Sequence, residues 1–187
     1  NAGDIFDHED VGYEEVDVFE GCLDRLDDSD ILFYYVGGNH GDSVGDRALS
    51  SHDACVHLNW KGKEVRNAVL YGVDEKHDAG QWLDRPYLQN EEMPQVGVFH
   101  HELNAEEVER SGLDVFIGGH YQDWRRSAES IRIGEEILLL YPGSVDGISR
   151  NYDSWKGQDP SIWELRFHEE RIDCVRHSLT ERLQEYR

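Results

Sequence analysis

The sequence predicts an α/β fold in which two mixed sheets stack on each other and helices cover them from outside. An apolar run at 31–36 and two strand-like segments at 95–99 and 114–117 lead into glycine or histidine, as buried strands do where they meet a loop. A helical pattern between the N-terminal segment and the first run indicates a strand–helix–strand unit with parallel pairing. Strand pairs at hairpin spacing later in the chain add antiparallel strands.

The first part of the chain combines one long helix with a buried strand. Residues 11–28 carry apolar side chains at helical spacing with acids between them, which predicts an amphipathic helix. The run 31–36 predicts a strand buried on both faces, and Gly37 and Gly38 permit a sharp turn after it. A short helix is expected within 45–53.

The middle of the chain predicts two strands, at 55–60 and 64–73, joined by a turn at 61–63. The polar residues 74–93 predict a surface loop or helix on the substrate side. A capped helix at 105–111 is expected before the strand at 114–117.

The last part of the chain predicts two antiparallel hairpins. Residues 130–133 and 136–141 form the first, around Gly134, and residues 162–167 and 171–177 form the second. No internal repeat, low-complexity tract or linker interrupts the pattern. A single domain is therefore expected over the whole chain.

The charge balance indicates a salt-rich environment. Residues 1–187 contain 18 basic and 40 acidic side chains, a formal charge of −22, and four lysines. At about 1 M salt the Debye length is only about 3 Å, so such self-repulsion is tolerable. We expect a halophilic archaeal or viral source; an ordinary acidic protein is the alternative. Acidity argues against nucleic-acid partners, but less so in high salt, where counterion release contributes little.

Cysteine usage and hydropathy bear on the compartment. Cys22, Cys55 and Cys174 are odd in number and form no C-x-x-C pair, so neither a disulfide framework nor a zinc ribbon is indicated. A reducing, cytoplasmic setting is expected, and no apolar run predicts a membrane partner. Because the chain begins at Asn1 rather than Met, close to a functional-looking Asp4, we expect an upstream segment in the gene.

Metal-type donors follow the predicted strands. Asp4, Asn39, the pair His100 and His101, and His120 come where strands end, and in α/β sheets such ends gather at one edge. Oxygen and imidazole donors suit Mn²⁺, Zn²⁺ or Fe²⁺. Asp4 could instead cap a helix or turn, and Asn39 could serve its turn through a left-handed conformation. The other histidines are predicted as surface or packing residues: His8, His52, His57, His77, His168 and His177.

The motifs resemble the calcineurin-like metallophosphoesterase superfamily, and most of all its SbcD-type nucleases of DNA double-strand-break repair. The resemblance covers nearly the whole chain and rests on five motifs in order: GDIFDH, GGNHG, VFHH, GGHYQ and YPGS. It implies a four-layer α-β-β-α sandwich around two metal ions. It also implies hydrolysis of a phosphodiester, with DNA among the candidate substrates, by a metal-activated water, and an ATPase partner where the role is repair.

The resemblance also implies a role for each matching residue. Asp4 would bridge both ions, while Asn39, His100 and His120 would complete one metal site. His40 would be catalytic, beside the scissile phosphate. Adjacent strand residues point to opposite sides, so only one of His100 and His101 should bind metal, and the family pattern selects His100. Manganese is the expected metal, with iron or zinc as alternatives, at one or two ions per chain.

The sequence departs from the family pattern at the other metal site. The upstream Asp-x-His motif and its strand are missing, and Gln122 stands where the family has histidine. Gly41 replaces a usual acid, with Asp42 one place later. These departures motivate a second hypothesis, a degenerate one-metal or metal-free scaffold that binds protein or nucleic acid. An Asp-x-His encoded upstream would favour the enzyme.

Secondary positions complete the predicted site. His101 is expected as a pocket or supporting residue, and Gln122 as a weaker metal ligand through its carbonyl oxygen. Asp7 either supports a metal ligand or initiates the helix. Arg125 and Arg126 are weak candidates for phosphate binding, and a solvated basic patch is the alternative reading.

Overall fold

The protein is described by a computed structural model. It describes residues 1–6, 11–39, 48–74, 92–101, 111–120, 125–126, 130–132, 137–142 and 161–178. Within them the chain forms a mixed α/β structure with several sheets. Its elements in chain order are α1 (Tyr13–Asp27), β1 (Phe33–Tyr35), β2 (Cys55–His57), β3 (Lys63–Val65), β4 (Ala68–Val73), β5 (Gln95–Phe99), β6 (Val115–Gly118), β7 (Arg125–Arg126), β8 (Ser130–Arg132), β9 (Leu138–Tyr141), β10 (Ser161–Phe167) and β11 (Arg171–Ser178).

The predicted strand–helix–strand unit is confirmed in its helix, its second strand and its parallel pairing, although the N-terminal segment pairs through one residue rather than as a strand. Ala2 pairs in parallel with Val36, and α1 lies between them in sequence. The Phe19 ring of α1 contacts Phe33 of β1 edge-on at 5.9 Å between ring centroids. The helix therefore covers one face of β1, as parallel crossover connections require.

The prediction that the run at 31–36 is buried on both faces is wrong at its start. Ile31 and Leu32 are 51% and 50% exposed, whereas Tyr35 and Val36 are buried. Strand pairing begins only at Phe33, whose N–H donates to the Ala54 carbonyl. The two preceding apolar residues lie before the partner strand and so have no sheet to cover them.

The largest sheet in the described part of the chain is mixed. Its strand order is β3-β4-β5-β6-β9-β7, in which β4, β5, β6 and β9 run parallel while β3 and β7 are antiparallel edges. A two-stranded parallel sheet, β1-β2, and a three-stranded antiparallel sheet, β10-β11-β8, accompany it. The carboxyl ends of the parallel strands consequently share one edge.

Two predicted hairpins are wrong, although most of their residues are in strands. The strand predicted at 64–73 is itself a hairpin, β3 and β4, that turns at residues 66–67, and β2 pairs with β1 instead. The segments at 130–133 and 136–141 do not pair with each other: β8 pairs with β11, and β9 joins β6 in parallel. Local apolar patterns indicate strands without specifying their partners. The last hairpin, β10 with β11, is confirmed.

Both smaller sheets pack on the same face of the six-stranded sheet. Val96 and Val98 of β5 point to this face, because residues two apart on a strand share a side. Val96 belongs to a core cluster with Ile172 of β11, and Val98 to a cluster with Val36, which follows β1. The opposite face carries larger side chains, including Phe99 stacked on Phe116 at 5.5 Å.

Other predicted elements have mixed outcomes. Residues 48–51 are helical, in agreement with the short helix expected within 45–53. The predicted helix at 105–111 lies almost wholly outside the described residues. No helix in the described ranges has the length and apolar character needed to cross a membrane.

The outward face of the β10–β11 hairpin carries a charged cluster. The Arg166 guanidinium donates two hydrogen bonds to Glu164, each 2.9 Å, and His177 Nε2 lies 2.9 Å from the same carboxylate. These contacts lower the pKa of Glu164 from 4.5 to about 2, and the hydrogen bond from Arg166 has the largest effect. The pKa of Asp173 is lowered in the same way, chiefly by Arg171.

We expect the Glu164 carboxylate to stay charged well below the usual range. Because its folded-state pKa is depressed, its stabilising contribution is complete above pH 4.5 and is lost as the pH falls from there towards about 2. A carboxyl-detected NMR titration of the folded chain would measure this midpoint. A Glu164 midpoint near 4.5 would contradict the ion-pair geometry, and Arg166→Gln should raise the midpoint.

Candidate metal centre

Four of the predicted donors lie together at the carboxyl edge of the sheets. Asp4 follows the strand-like pairing of Ala2, and Asn39 follows β1 through the Gly37-Gly38 turn. His100 comes directly after β5, and His120 stands two residues after β6. The local sequences place polar side chains where buried strands end, and the parallel pairing brings those ends together.

The donor atoms of these residues are within contact distance of one another. His100 Nε2 lies 3.0 Å from Asp4 Oδ2 and 2.8 Å from Asn39 Oδ1. His120 Nδ1 lies 3.1 Å from the same Asn39 oxygen. One ligand atom from each of Asp4, His100 and His120 falls within 4.8 Å of the others. The four side chains therefore share a single small space.

A hydrogen bond to the backbone determines which ring nitrogen of His100 can bind a metal. Its Nδ1 lies 2.7 Å from the Ala2 carbonyl, which only accepts, so Nδ1 carries the proton and donates. In the neutral ring Nε2 then presents a lone pair to the oxygens of Asp4 and Asn39. Lone pairs this close repel one another unless a cation or a proton lies between them. A backbone carbonyl that orients a ligating histidine is a recurrent feature of metal sites.

Burial differs sharply across the site. The His100 side chain is 1% exposed, whereas that of Asp4 is 28% exposed. Asn39 and His120 are exposed. A cation held by these residues would contact the protein interior on one side and solvent on the other, which leaves room for a further ligand.

Two of the donor residues have left-handed backbones. Asp4 has φ of 48° and His120 has φ of 67°, values uncommon outside glycine. Such conformations each cost of order 1 kcal/mol and persist where surrounding contacts hold them, typically at functional sites. Here Gly119 N–H donates to the Phe99 carbonyl at 2.6 Å, which ties the His120 loop to the end of β5.

Three glycines let the loops of the site approach each other. A Cβ added to Gly3 would collide with the His100 ring, and one added to Gly38 would collide with Asp4. A Cβ on Gly119 would collide with the Ala2 carbonyl and with the His100 ring. The close packing of the site therefore requires glycine at these three positions, because any side chain there would collide with a donor residue or its support.

The remaining predicted residues are not part of this described cluster. The His101 ring packs edge-on against Phe99 at 5.9 Å between ring centroids. His40, Asp7 and Gln122 lie outside the described residues. Arg125 and Arg126 form the edge strand β7, paired with β9, and only their backbone is described.

The sequence prediction missed a supporting pair beside the site. Asp74, at the end of β4, accepts a hydrogen bond from Gly37 N–H at 2.6 Å, and His57 Nε2 lies 2.9 Å from the same carboxylate oxygen. His57 is exposed and stacks on Tyr35, which agrees with its prediction as a surface or packing residue; its contact with Asp74 was not predicted. The available signal was that Asp74 follows a strand, as the other site residues do.

The donor set fits a divalent transition metal. One carboxylate, one amide oxygen and two imidazole nitrogens form a mixed oxygen and nitrogen set, typical of Mn²⁺, Fe²⁺ or Zn²⁺ rather than Ca²⁺. No family model and no curated protein matches the chain. The inference of function therefore rests on this geometry and on the motifs.

Proposed function

We propose that the chain is a metal-dependent phosphoester hydrolase of the calcineurin-like superfamily, acting on phosphodiesters. The observation that carries the proposal is the convergence of Asp4, Asn39, His100 and His120, which are distant in sequence, on one space. The four-layer sandwich of that superfamily is part of the proposal. The succession of α1, the β1–β2 sheet and the six-stranded sheet supports it.

Each residue has a defined part in the proposed chemistry. Asp4 supplies the negative charge, Asn39 a neutral oxygen, and His100 a lone pair oriented by the Ala2 carbonyl. A bound divalent ion would supply Lewis acidity, lowering the pKa of water and neutralising phosphate charge. The exposed His120 and Asn39 form the side from which a phosphoester can approach. His40, the residue after Asn39, is proposed to protonate the leaving oxygen.

A one-metal scaffold is the second candidate. Among the described residues, one group of three His and Asp side chains has the spacing of a metal site. A scaffold would bind at most one ion and hydrolyse nothing. Counting metal per chain after dialysis, alongside the activity assay, separates the two functions: two ions support the enzyme.

We expect Mn²⁺-dependent hydrolysis of a chromogenic phosphodiester by the full-length protein in high salt. Asn39→Ala should reduce both Mn²⁺ affinity and activity at least about tenfold, because changes at or next to metal ligands typically cost 10- to 100-fold. The matched control is Asn59→Ala, which removes an amide oxygen that accepts the Lys61 N–H in a turn. Linear duplex DNA serves as a second substrate.

Two experimental results would contradict the proposed function. A full-length protein that remains inert with Mn²⁺, Fe²⁺ and Zn²⁺ would exclude the enzyme. Equal losses in Asn39→Ala and Asn59→Ala would show that the amide at 39 has no particular role.

A further inference from the structure

We propose that Asp74 is a positioning residue that sets the place of Asn39 in the metal site. This inference rests on the proposed function, since Asn39 is one of the proposed ligands. Asp74 itself contacts the loop that carries Asn39, and it does so through Gly37. It acts through the backbone of that loop, two residues before the ligand.

The contact between Asp74 and the loop is short and charge-assisted. Its Oδ1 accepts the Gly37 N–H at 2.6 Å, and hydrogen bonds to a carboxylate are roughly twice as strong as neutral ones. A Cβ on Gly37 would lie 3.2 Å from both Cγ and Oδ1 of Asp74, so the carboxylate rests directly on the glycine backbone. Only glycine allows this approach without displacement.

Asp74 is held in turn by a second donor. His57 Nε2 lies 2.9 Å from the same Oδ1, and the His57 ring stacks on the buried Tyr35 at 4.9 Å and 20°. Asp74 also extends β4, whose five-residue parallel register with β5 leads to Phe99, the residue before His100. The carboxylate is therefore anchored to the two parallel elements that carry Asn39 and His100.

The turn carrying Asn39 is clamped from two directions. Asp74 contacts Gly37, while Asp4 packs against Gly38 closely enough to exclude any side chain there. The Asn39 oxygen then reaches both His100 and His120, at 2.8 and 3.1 Å. Without Asp74 the turn is held from one side, and Asn39 has more freedom to leave the shared space.

The chain offers a matched control for this contact. Asp114 Oδ2 accepts the Gln95 N–H at 2.8 Å, which is the same type of carboxylate–backbone bond. That bond lies at the amino ends of β5 and β6, on the edge of the sheet opposite the metal centre. Asp114→Ala therefore removes an equivalent bond without touching the Asn39 loop.

The test compares Asp74→Ala, Asp74→Asn and Asp114→Ala in the full-length protein, with two measurements. NMR of the metal-free protein follows the Gly37 amide exchange and the Asn39 side-chain amide resonances. Electron paramagnetic resonance of free Mn²⁺ gives the metal affinity. We expect Asp74→Ala to speed Gly37 exchange, shift the Asn39 resonances and weaken Mn²⁺ binding about 10-fold or more, as loss of supporting partners does. Asp74→Asn keeps an acceptor oxygen and should lose less than Asp74→Ala.

The two measurements separate failure of this inference from failure of the proposed function. Asn39 resonances that stay unmoved in Asp74→Ala, or shift equally in Asp114→Ala, overturn the positioning role whether or not metal binds. An unaltered protein that binds no Mn²⁺, while Asn39 shifts as expected, refutes the metal site but leaves Asp74 as the residue that positions Asn39. If the unaltered protein binds Mn²⁺ and Asp74→Ala binds it equally well, the inference is also overturned, because the bond is then purely structural.

Discussion

Replacing His100 with alanine is expected to weaken Mn²⁺ binding by at least about 100-fold, with hydrolysis lost in parallel. His100 is the most buried of the four donors, and its Nε2 contacts both Asp4 and Asn39. Loss of a supporting partner alone costs 10- to 100-fold in metal affinity, so loss of a ligand should cost more. Isothermal titration of the variant with Mn²⁺ gives the measurement.

The adjacent histidine is the control for this prediction. His101→Ala removes an imidazole one residue further on, from a side chain that packs edge-on against Phe99 and is not part of the described group of donors. Its Mn²⁺ affinity should stay within about threefold, well short of the 10- to 100-fold expected near a ligand. If the two variants bind Mn²⁺ equally well, His100 is not a ligand. If His101→Ala has the larger effect, the assignment between the neighbours is reversed.

Adding one methyl group at Gly119 should disrupt the site as severely. The Cβ of Gly119→Ala would collide with the Ala2 carbonyl and with the His100 ring, neither of which is the free end of a flexible chain. Overpacking of this kind costs about 1–3 kcal/mol of folding stability. Since the Ala2 carbonyl also orients His100, we expect Mn²⁺ affinity to fall by about 10-fold or more.

The same substitution at another glycine is expected to increase folding stability instead of lowering it. Gly21 lies within α1, and a Cβ there meets nothing within 4 Å. Gly21→Ala should stabilise the protein by about 0.5–1 kcal/mol and leave Mn²⁺ binding unchanged, because alanine favours the helix. Denaturant unfolding of both variants measures whether Gly21→Ala raises and Gly119→Ala lowers the free energy of unfolding. A Gly119→Ala protein as stable as the original would show that the loops do not pack as described.

Most strands could be predicted from the sequence, but several pairings could not. The run at 95–99 appears as β5 with the predicted bounds, because a parallel strand buried on both faces is mostly apolar rather than alternating. Strands were also predicted at 130–133 and 136–141, and the described residues there contain β8 (Ser130–Arg132) and β9 (Leu138–Tyr141). Their partners, β11 and β6, are chosen by packing across the molecule rather than by the loop between them. Nothing in the local sequence encodes that choice.

The donor residues of the candidate site could be predicted from the sequence, but the residues and contacts that position them could not. Asp4, Asn39, His100 and His120 stand out because each follows a predicted strand, and binding residues concentrate in the loops that a rigid sheet positions. Asp74 does not stand out in a chain with 40 acidic residues. The left-handed conformations of Asp4 and His120, and the contact of Gly119 with the Ala2 carbonyl, depend on loops meeting in three dimensions.

A crystal structure of the full-length protein grown with Mn²⁺, with anomalous scattering recorded for manganese, tests the central claim most directly. We expect an anomalous peak in contact with Asp4 Oδ2, Asn39 Oδ1, His100 Nε2 and His120 Nδ1 together. This expectation would be contradicted by a crystal in which these four side chains point apart, or in which manganese binds elsewhere and leaves them without a metal.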